Sequence, residues 1–571
     1  VTDVINYWPD PDFRTTNRTG VVSFNLFPNP SPTVDLTGWT GSVTRNTAAK
    51  LFPDTVAGGR CTGDVTLHGI TTPDRGDSWV FTGRVKASGA QTITVTGAMA
   101  AGGTYILRTV GWGDFGWGEA NTYVAGASKS FEAGEEATFR IYCGDSVTTG
   151  TGDRQVLITL TGGGTFDVDG ITQTTGVNDG YNGTNIPDAP LFFFGDSTDD
   201  DTFTYSWQGT PYNSVSLQTA NIPKHVWSPY NSEYHPDLLP VVPEAAFHTV
   251  IGGEHRVALR SELGFGWTGS MILTDGTIPE TDPEHLSGMV LPTGKNYAIT
   301  YEIVKDYEIY YEGYPEPTYG TGNYLFVYDS SMAVDEVPYQ RLSYMPLMGN
   351  PPYRKRVTMP FSTVTGSVIR PEIMGYTNWN TGDIYVTNCG IFEIPQIYHV
   401  YDGLEYAADG IYDLVALGVA AGGSYHTNIE VNGPNGHPII EYKVGAGSWT
   451  TLVESTNPTT TGDFSIPEDS LDFTVPSDAT EVRLRLSDTS LEITTFDLFD
   501  APPAFFDGDT TDGGGYSYAW SGTPYDSTSV RSDASSGSVT AKVFVGSTAV
   551  DVAEMRLMVG STLVPITEAG T

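Results

Sequence analysis

The chain has 571 residues, with 68 acidic against 28 basic side chains and a formal net charge of −40. That length exceeds one core, so three or four domains are expected. The charge repels nucleic-acid phosphates and anionic membrane surfaces; it suits neutral glycans, divalent cations or a basic protein partner, or serves solubility alone.

Glycine, proline, tyrosine and threonine are abundant, and only 17% of residues are charged. This composition predicts an all-β chain of several β-sandwich or jelly-roll domains in tandem, not a disordered one. Cys61, Cys143 and Cys389 are too few, and odd in number, for a disulfide framework. They read as reduced core thiols, which points to folding in a reducing cytoplasm. The stretch VTDVINYWPDPDF lacks a basic region followed by an apolar run, so no signal peptide is read there. No segment approaches the ~18 apolar residues of a membrane span.

Residues 1–20 are rich in Pro and Asp and are expected to be extended. They contain Asn6-Tyr7-Trp8-Pro9-Asp10-Pro11, whose form returns as Asn25-Leu26-Phe27-Pro28-Asn29-Pro30. A domain is expected over 21–219, with strands at Ser78–Val85, Thr92–Val95, Tyr105–Val110, Ala137–Tyr142 and Val156–Leu160. It ends on FFFGDSTDDDTFTYSWQGTPYNSVS, Phe192 to Ser216. A Pro-rich linker follows over 220–246. A β-sandwich is expected over 247–396, with strands at Tyr297–Val304, Tyr324–Tyr328 and Asp383–Thr387, and a protruding hairpin at Tyr307–Tyr319. A jelly roll over 397–533 takes strands at Ile411–Leu417, Ile439–Val444, Ser448–Leu452, Leu471–Val475, Glu481–Leu486 and Ile493–Phe499. It ends on FFDGDTTDGGGYSYAWSGTPYDSTS, Phe505 to Ser529. The last segment, 534–571, is a small β repeat: Lys542-Val-Phe-Val-Gly-Ser-Thr548 recurs as Arg556-Leu-Met-Val-Gly-Ser-Thr562. Each unit is too small to fold alone and must pair with the other or with another chain.

The two long stretches align without a gap, and 14 of their 25 positions are identical. This is an internal duplication. Both copies keep the Phe-Phe pair, Gly-Asp, the Tyr-x-Trp strand and the Gly-Thr-Pro turn. They vary the acidic count and exchange Ser197 for Thr510. The shared set is a packing and turn set, so the motif reads as a clasp closing a sandwich, with function placed in the loops between.

The sequence offers three candidate chemistries. Phe192-Phe-Phe-Gly-Asp196-Ser197, with Gly176-Val-Asn178-Asp179 and Asp282-Pro-Glu-His285, is similar to the blocks of Gly-Asp-Ser esterases. The Asn block precedes the nucleophile, no helical periodicity is present, and the second copy carries Thr510, so no catalytic residue is assigned. Asp507-x-Asp509-x-x-Asp512 sets hard oxygen donors on a Gly-rich loop, as calcium requires, although Asp is also a plain turn former. No other cofactor is expected. Aromatic rings in Gly-rich loops are candidate carbohydrate platforms: Trp112, Phe115 and Trp117 with Asp114 beside them, and Tyr376 with Trp379. The competing reading is that these rings cover a sandwich end or a subunit contact.

Two resemblances follow from these residues. Asn25-x-x-x-Asn29-Pro30-Ser31 with Gly38-Trp39, together with the ending Gly162-Gly-Gly-x-Phe166-Asp-Val-Asp169, resembles carbohydrate-binding modules of the galactose-binding jelly-roll type. The doubled clasp is similar to one found in minor tail proteins of siphophages that infect actinobacteria. That resemblance implies a virion tail-tip or tail-fibre protein, assembled in the host cytoplasm. It implies contact with other tail proteins and host cell-wall glycan, and a homo-oligomer of three copies; the net charge and the lack of a long apolar run predict neither nucleic-acid binding nor membrane insertion.

Overall fold

The computed structural model describes residues 3–72, 78–99, 106–112, 126–144, 154–176, 192–198, 202–227, 244, 246–259, 270–274, 289–305, 321–329, 339–343, 353–363, 368–377, 384–400, 403–432, 436–455, 469–511, 515–533, 543–545, 548–550, 557–559 and 562–564. Apart from one 3-10 turn at Thr47–Ala49, the regular elements among them are β-strands. The all-β expectation is met, in several packed sheets. Among the described residues no helix is long and apolar enough to cross a membrane, which says nothing about a membrane β-barrel.

The first unit is a nine-stranded antiparallel sheet. Its strands include Gly58–Thr72, Ser78–Ala87, Gln91–Met99, Glu136–Gly144, Arg154–Gly162 and Phe166–Gly176. Alternate residues of these strands turn inward, as a two-residue repeat requires. They bury Val65, Leu67, Phe81, Phe139, Ile158 and Phe166 completely. A separate three-stranded sheet, Thr16–Asn25, Ser216–Pro223 and Phe203–Trp207, carries the first clasp.

The second unit has two sheets. One runs Ala246–Ile251, Glu254–Leu259, Ile384–Ile394, Val4–Asn6, Ser529–Asp533, Tyr516–Trp520, with Asn296–Lys305 bridging Ile384–Ile394 and Tyr353–Ser362. The other is built on Thr321–Asp329 and Val368–Thr377. Their core holds Tyr297, Ile299, Tyr301, Val386, Cys389 and Ile391, together with Trp8 and Phe13 from the far N-terminus.

The third unit is a sandwich of two four-stranded sheets, Ile397–His399, Glu492–Asp500, Ser424–Asn432, Asp469–Thr474 against Ile411–Asp413, Glu481–Leu486, Pro438–Lys443, Thr450–Glu454. Ile429, Val431, Leu484, Phe496 and Leu498 fill it. The expected strand Ile411–Leu417 stops at Asp413, because the Asp413 carboxylate accepts the N–H groups of Val415 and Ala416 and turns the chain.

The structure corrects the expected division in three places. The linker expected over 220–246 begins as built structure: residues 220–223 end the strand Ser216–Pro223, and Val226–Trp227 pairs with Ser270–Leu273 and buries Val226 in the second core, because Val226 is apolar and the prolines lie elsewhere in the stretch. Residues 1–20 are extended in part, but they are not a segment apart: Val4–Asn6 is an interior strand of the second unit, and Thr16–Asn25 starts the first. The second clasp does not close the third unit. Its strand Ser529–Asp533 pairs with Val4–Asn6, and Phe506 packs on Phe392 at 5.4 Å. The second unit therefore has its own clasp. The first unit is inserted after its first strand, and the third unit before its clasp. Asp500 N donates to the Gln396 carbonyl at 3.0 Å, so the third unit leaves and returns at one point.

Cys61 and Cys389 are buried free thiols, and burial pushes the Cys61 thiol up to about 12 and the Cys389 thiol higher still. The hairpin expected at Tyr307–Tyr319 lies outside the described residues.

Candidate functional site: one clasp built twice

Each clasp starts from a tight acidic turn. In the first, Ser197 N donates to the Phe194 carbonyl at 2.8 Å, and the Ser197 hydroxyl accepts Phe194 N–H at 2.9 Å. In the second, Thr510 Oγ1 accepts Asp507 N–H at 2.8 Å. The exchange of Ser for Thr is thus explained: either hydroxyl closes the turn.

The conserved Gly-Asp follows the same logic. Gly195 lies under the Trp207 indole and Gly508 under the Trp520 indole, where a Cβ would collide with the ring. Asp196 accepts Trp207 Nε1–H at 3.2 Å and the Tyr212 hydroxyl at 2.6 Å. Asp509 accepts Trp520 Nε1–H at 3.2 Å and the Tyr525 hydroxyl at 2.6 Å. Burial and the facing carboxylate push both tyrosine hydroxyls up, so they stay donors.

The Gly-Thr-Pro turn ends on a tyrosine in the left-handed region, Tyr212 at φ 59° and Tyr525 at φ 57°. Ser214 accepts Gly209 N–H at 3.0 Å and donates to the Thr210 carbonyl at 3.0 Å; Ser527 repeats both bonds at 2.9 Å. This network holds an uncommon backbone conformation for a bulky residue.

A buried asparagine locks each clasp to its sandwich. Asn25 donates to the Phe193 carbonyl at 2.9 Å and accepts the N–H groups of Phe27 and Gln173, both at 3.1 Å. Asn6 donates to the Phe506 carbonyl at 3.1 Å and accepts the N–H groups of Trp8 at 3.1 Å and Ile391 at 3.0 Å. The next residues match as well: Leu26 N bonds Gln173 O, and Tyr7 N bonds Ile391 O, each at 2.8 Å. Gly170 at φ 67° and Asn388 at φ 51° mark the same kink in the strand that receives them. The repeated Asn-x-aromatic-Pro-Asx-Pro is therefore the partner of the repeated clasp.

The copies differ at the tip. In the second, Asp526 bonds Lys224 and His225, Arg14 stacks over Tyr525 at 4.6 Å, and Thr15 Oγ1 donates to the Tyr525 carbonyl at 2.8 Å. Lys224 N donates to Thr15 O at 2.7 Å, so these residues form the two-strand stem that carries the first unit. The first copy has Asn213 where Asp526 stands. Burial pushes the Asp10 carboxyl up to about 7, although it accepts the N–H groups of Thr15 and Arg14; its counterpart is the uncharged Asn29.

Further bonds join the units. Phe247 and Ala258 of the second unit pack on Val22, Ala220 and Ile222 of the first clasp's sheet. Asn428 of the third unit donates to the Thr358 carbonyl at 2.9 Å, and Arg356 donates to the Pro503 carbonyl at 3.1 Å.

The sequence-derived sites fall as follows. Trp112 is a half-buried ring at the edge of the first core. It meets Phe131 at 5.1 Å and Phe139 at 6.1 Å, and its N–H donates to the Ala127 carbonyl at 3.2 Å. That placement is a packing role with only the remaining ring surface free. Asp114, Phe115, Trp117 and Trp379 lie outside the described residues, as does the Tyr376 side chain. Asp507 Oδ1 accepts Asp509 N–H at 3.0 Å and the Thr510 hydroxyl at 2.8 Å. Both Asp509 oxygens are engaged as described, and Asp512 lies outside the described residues. Among the described residues no cluster of three His, Cys, Asp or Glu side chains is placed to hold a metal ion. Asn178, Asp179, Asp282 and His285 are likewise outside. The Ser197 hydroxyl is buried in its turn rather than presented to a cleft.

No protein-family model matches the chain, and no curated protein sequence does. Among solved structures, the N-terminal CBM22-1–CBM22-2 tandem domain from Paenibacillus barcinonensis Xyn10C aligns at 12% identity over 65% of this chain and 98% of that one, with a TM-score of 0.18. An allantoicase aligns at 10% identity over 41% of this chain and 77% of that one, with a TM-score of 0.12. Scores this low carry no functional inference.

Proposed function

We propose that this chain is a non-enzymatic structural protein of a bacteriophage tail, a minor tail protein at the tip or fibre, which contributes to recognition of host-surface glycan. The observation that supports it most is the doubled clasp, whose residues resemble those of actinobacteriophage minor tail proteins and whose atoms serve as joints. Buried hydroxyls, tied carboxylates and paired indoles make a fastening, and a tail component needs fastenings that hold several β units together under load. The Ser197 environment supports the non-enzymatic reading, since a nucleophile needs an exposed oxygen and a base. Glycan contact is assigned to the Gly-rich sequence stretches bearing Trp117 and Trp379. Several copies on one particle would multiply a weak affinity.

Immunogold labelling on intact particles tests the placement: label at the tail end supports the proposal, and label on the head or none on the particle sinks it. Pull-down on actinobacterial cell wall tests the adhesive part. Trp117→Ala and Trp379→Ala should each weaken retention while leaving thermal unfolding unchanged. Absence of retention by the intact protein, with tight binding to another tail protein, would leave scaffolding as its role.

A further inference from the structure

We propose that the peptide bond between Asp10 and Pro11 is a site of self-cleavage, broken by the Asp10 side chain. The bond lies between the strand Val4–Asn6 of the second unit and the strand Thr16–Asn25 that starts the first. Successive N–H groups converge on Asp10. Phe13 N–H donates to its main-chain carbonyl at 2.9 Å, Arg14 N–H to Oδ1 and Thr15 N–H to Oδ2, each at 2.8 Å. One turn thus holds the carboxyl beside the carbonyl of the same residue. That carbonyl takes a further donor, Trp8 Nε1–H at 2.8 Å. A pair of fixed donors on one carbonyl oxygen stabilises the charge that grows there when its carbon is attacked. Trp8, Asp10 and Phe13 are all 0% exposed, so bulk water does not compete for these bonds. Phe13 sits at φ 56°, an uncommon conformation for an aromatic residue, so the turn carries strain beside the bond.

The chemistry balances within the site and water. A carboxyl oxygen of Asp10 bonds to the Asp10 main-chain carbon and closes a cyclic anhydride. The bond from that carbon to the Pro11 nitrogen breaks, and the nitrogen takes the carboxyl proton. Water then opens the anhydride, which leaves a pair of carboxyl groups on Asp10 and a free amine on Pro11. Nothing is oxidised or reduced. The neutral acid carries both the nucleophile and the proton. Burial holds the Asp10 carboxyl up, at about 7, against the bonds from Thr15 and Arg14; the Asp12 carboxylate adds to the rise and the Arg14 guanidinium opposes it.

The first unit supplies the comparison. Asn29-Pro30 stands at the matching place, and the Asn29 carbonyl also accepts an indole N–H, from Trp39 at 2.8 Å. Its side chain is an amide without an acidic proton, so that bond should persist. A cut at Asp10 stays hidden in the native protein. Val4–Asn6 remains paired with Phe392 and with Ser529, Val530 and Arg531, and Trp8 remains in the second core. The first unit then keeps its covalent link to the second through Lys224 and His225. The event occurs once per chain, so it stands apart from the tail assignment.

Intact mass under denaturing conditions, with sequencing of any new N-terminus, tests it on the purified full chain. The expected product begins at Pro11, and its rate of formation is independent of protein concentration. In isotopically labelled water, one labelled oxygen should enter the segment that ends at Asp10. Moving from about pH 6 to about pH 9 should slow the reaction about a hundredfold, because the neutral form of a carboxyl at about 7 falls by that factor. Trp8→Phe removes the indole donor while keeping an aromatic ring in the core, and should slow cleavage about a hundredfold. Asp10→Asn installs the residue of the first unit and should lose the product. A native chain that stays whole at about pH 6 overturns the proposal. So does undiminished cleavage of Asp10→Asn, which would point to a stray protease, or equally fast cleavage in denaturant, which would make the bond acid-labile without help from the fold.

Discussion

The two clasps have nearly the same atoms in place and opposite chain paths. In the first, Asn25 and Phe193 belong to one contiguous unit. In the second, Asn6 and Phe506 are 500 residues apart, with two whole units between them. Hydrogen-bond lengths differ by only 0.2 Å between these two bonds. The fastening is therefore indifferent to what the chain does elsewhere, provided the first strand, the kinked strand and the clasp reach one place. Loop-closure entropy grows only slowly with loop length, so long insertions are tolerated at such a point. The second unit is the hub because its open ends accept the other two.

The comparison can be broken hardest at the aromatic residue two positions after the buried asparagine. Trp8 and Phe27 are both 0% exposed. Trp8→Ala should destabilise the second unit by about 3–5 kcal/mol, and Phe27→Ala the first unit by a similar amount. Calorimetry that resolves the units should show each substitution lowering one transition. A Trp8→Ala loss confined to the first unit would refute the assignment of the N-terminal strand.

A smaller effect is expected at the turn glycines. Gly508→Ala and Gly195→Ala each force an indole off its seat, at a cost of about 1–3 kcal/mol. The two costs should agree, measured by denaturant unfolding, because the two seats agree. Tolerance at one copy alone would show that the clasps are not equivalent.

The smallest effect sharpens the difference at the tips. Asp526→Asn gives the second clasp the residue of the first. The ion pair with Lys224 is about one-third exposed, so its loss should cost at most about 1 kcal/mol. The Lys224 hydrogen bond holds the Asp526 carboxyl below its ordinary value; burial opposes it, and the His225 bond adds a further lowering. A lowered carboxylate stabilises the fold above the ordinary carboxylate range and loses that contribution as pH falls through it. The substitution should flatten the acid limb of stability below about pH 4 and leave the neutral region almost unchanged. An unchanged acid limb would mean that the stem is held without this pair.

Strands at Gln91–Met99, Asn296–Lys305 and Glu481–Leu486 were legible because alternation is written in consecutive residues. The clasp was legible because it occurs twice. Ser424–Asn432 carries the same alternation, Tyr425, Ile429 and Val431 against His426, Asn428 and Glu430, but Thr427 breaks its apolar face and weakens the signal; Asn428 meets the second unit's backbone and Glu430 accepts the Thr495 hydroxyl. Which unit the second clasp closes is not legible in the sequence, for a related reason. The clasp follows the third unit in the chain, and adjacency in sequence suggested adjacency in space. One signal pointed the other way: Asn6-Tyr-Trp-Pro-Asp-Pro and Asn25-Leu-Phe-Pro-Asn-Pro are two first strands for two clasps.

The sequence by itself determined most of the strands and the turn chemistry, which depend on residues a few positions apart, and the count of clasps, which the duplication records. Tertiary structure alone decided that Asn6 closes on Phe506 and that Tyr7 bonds Ile391. Those contacts exist only where burial and unsatisfied backbone groups from distant segments meet, and no local pattern records that meeting.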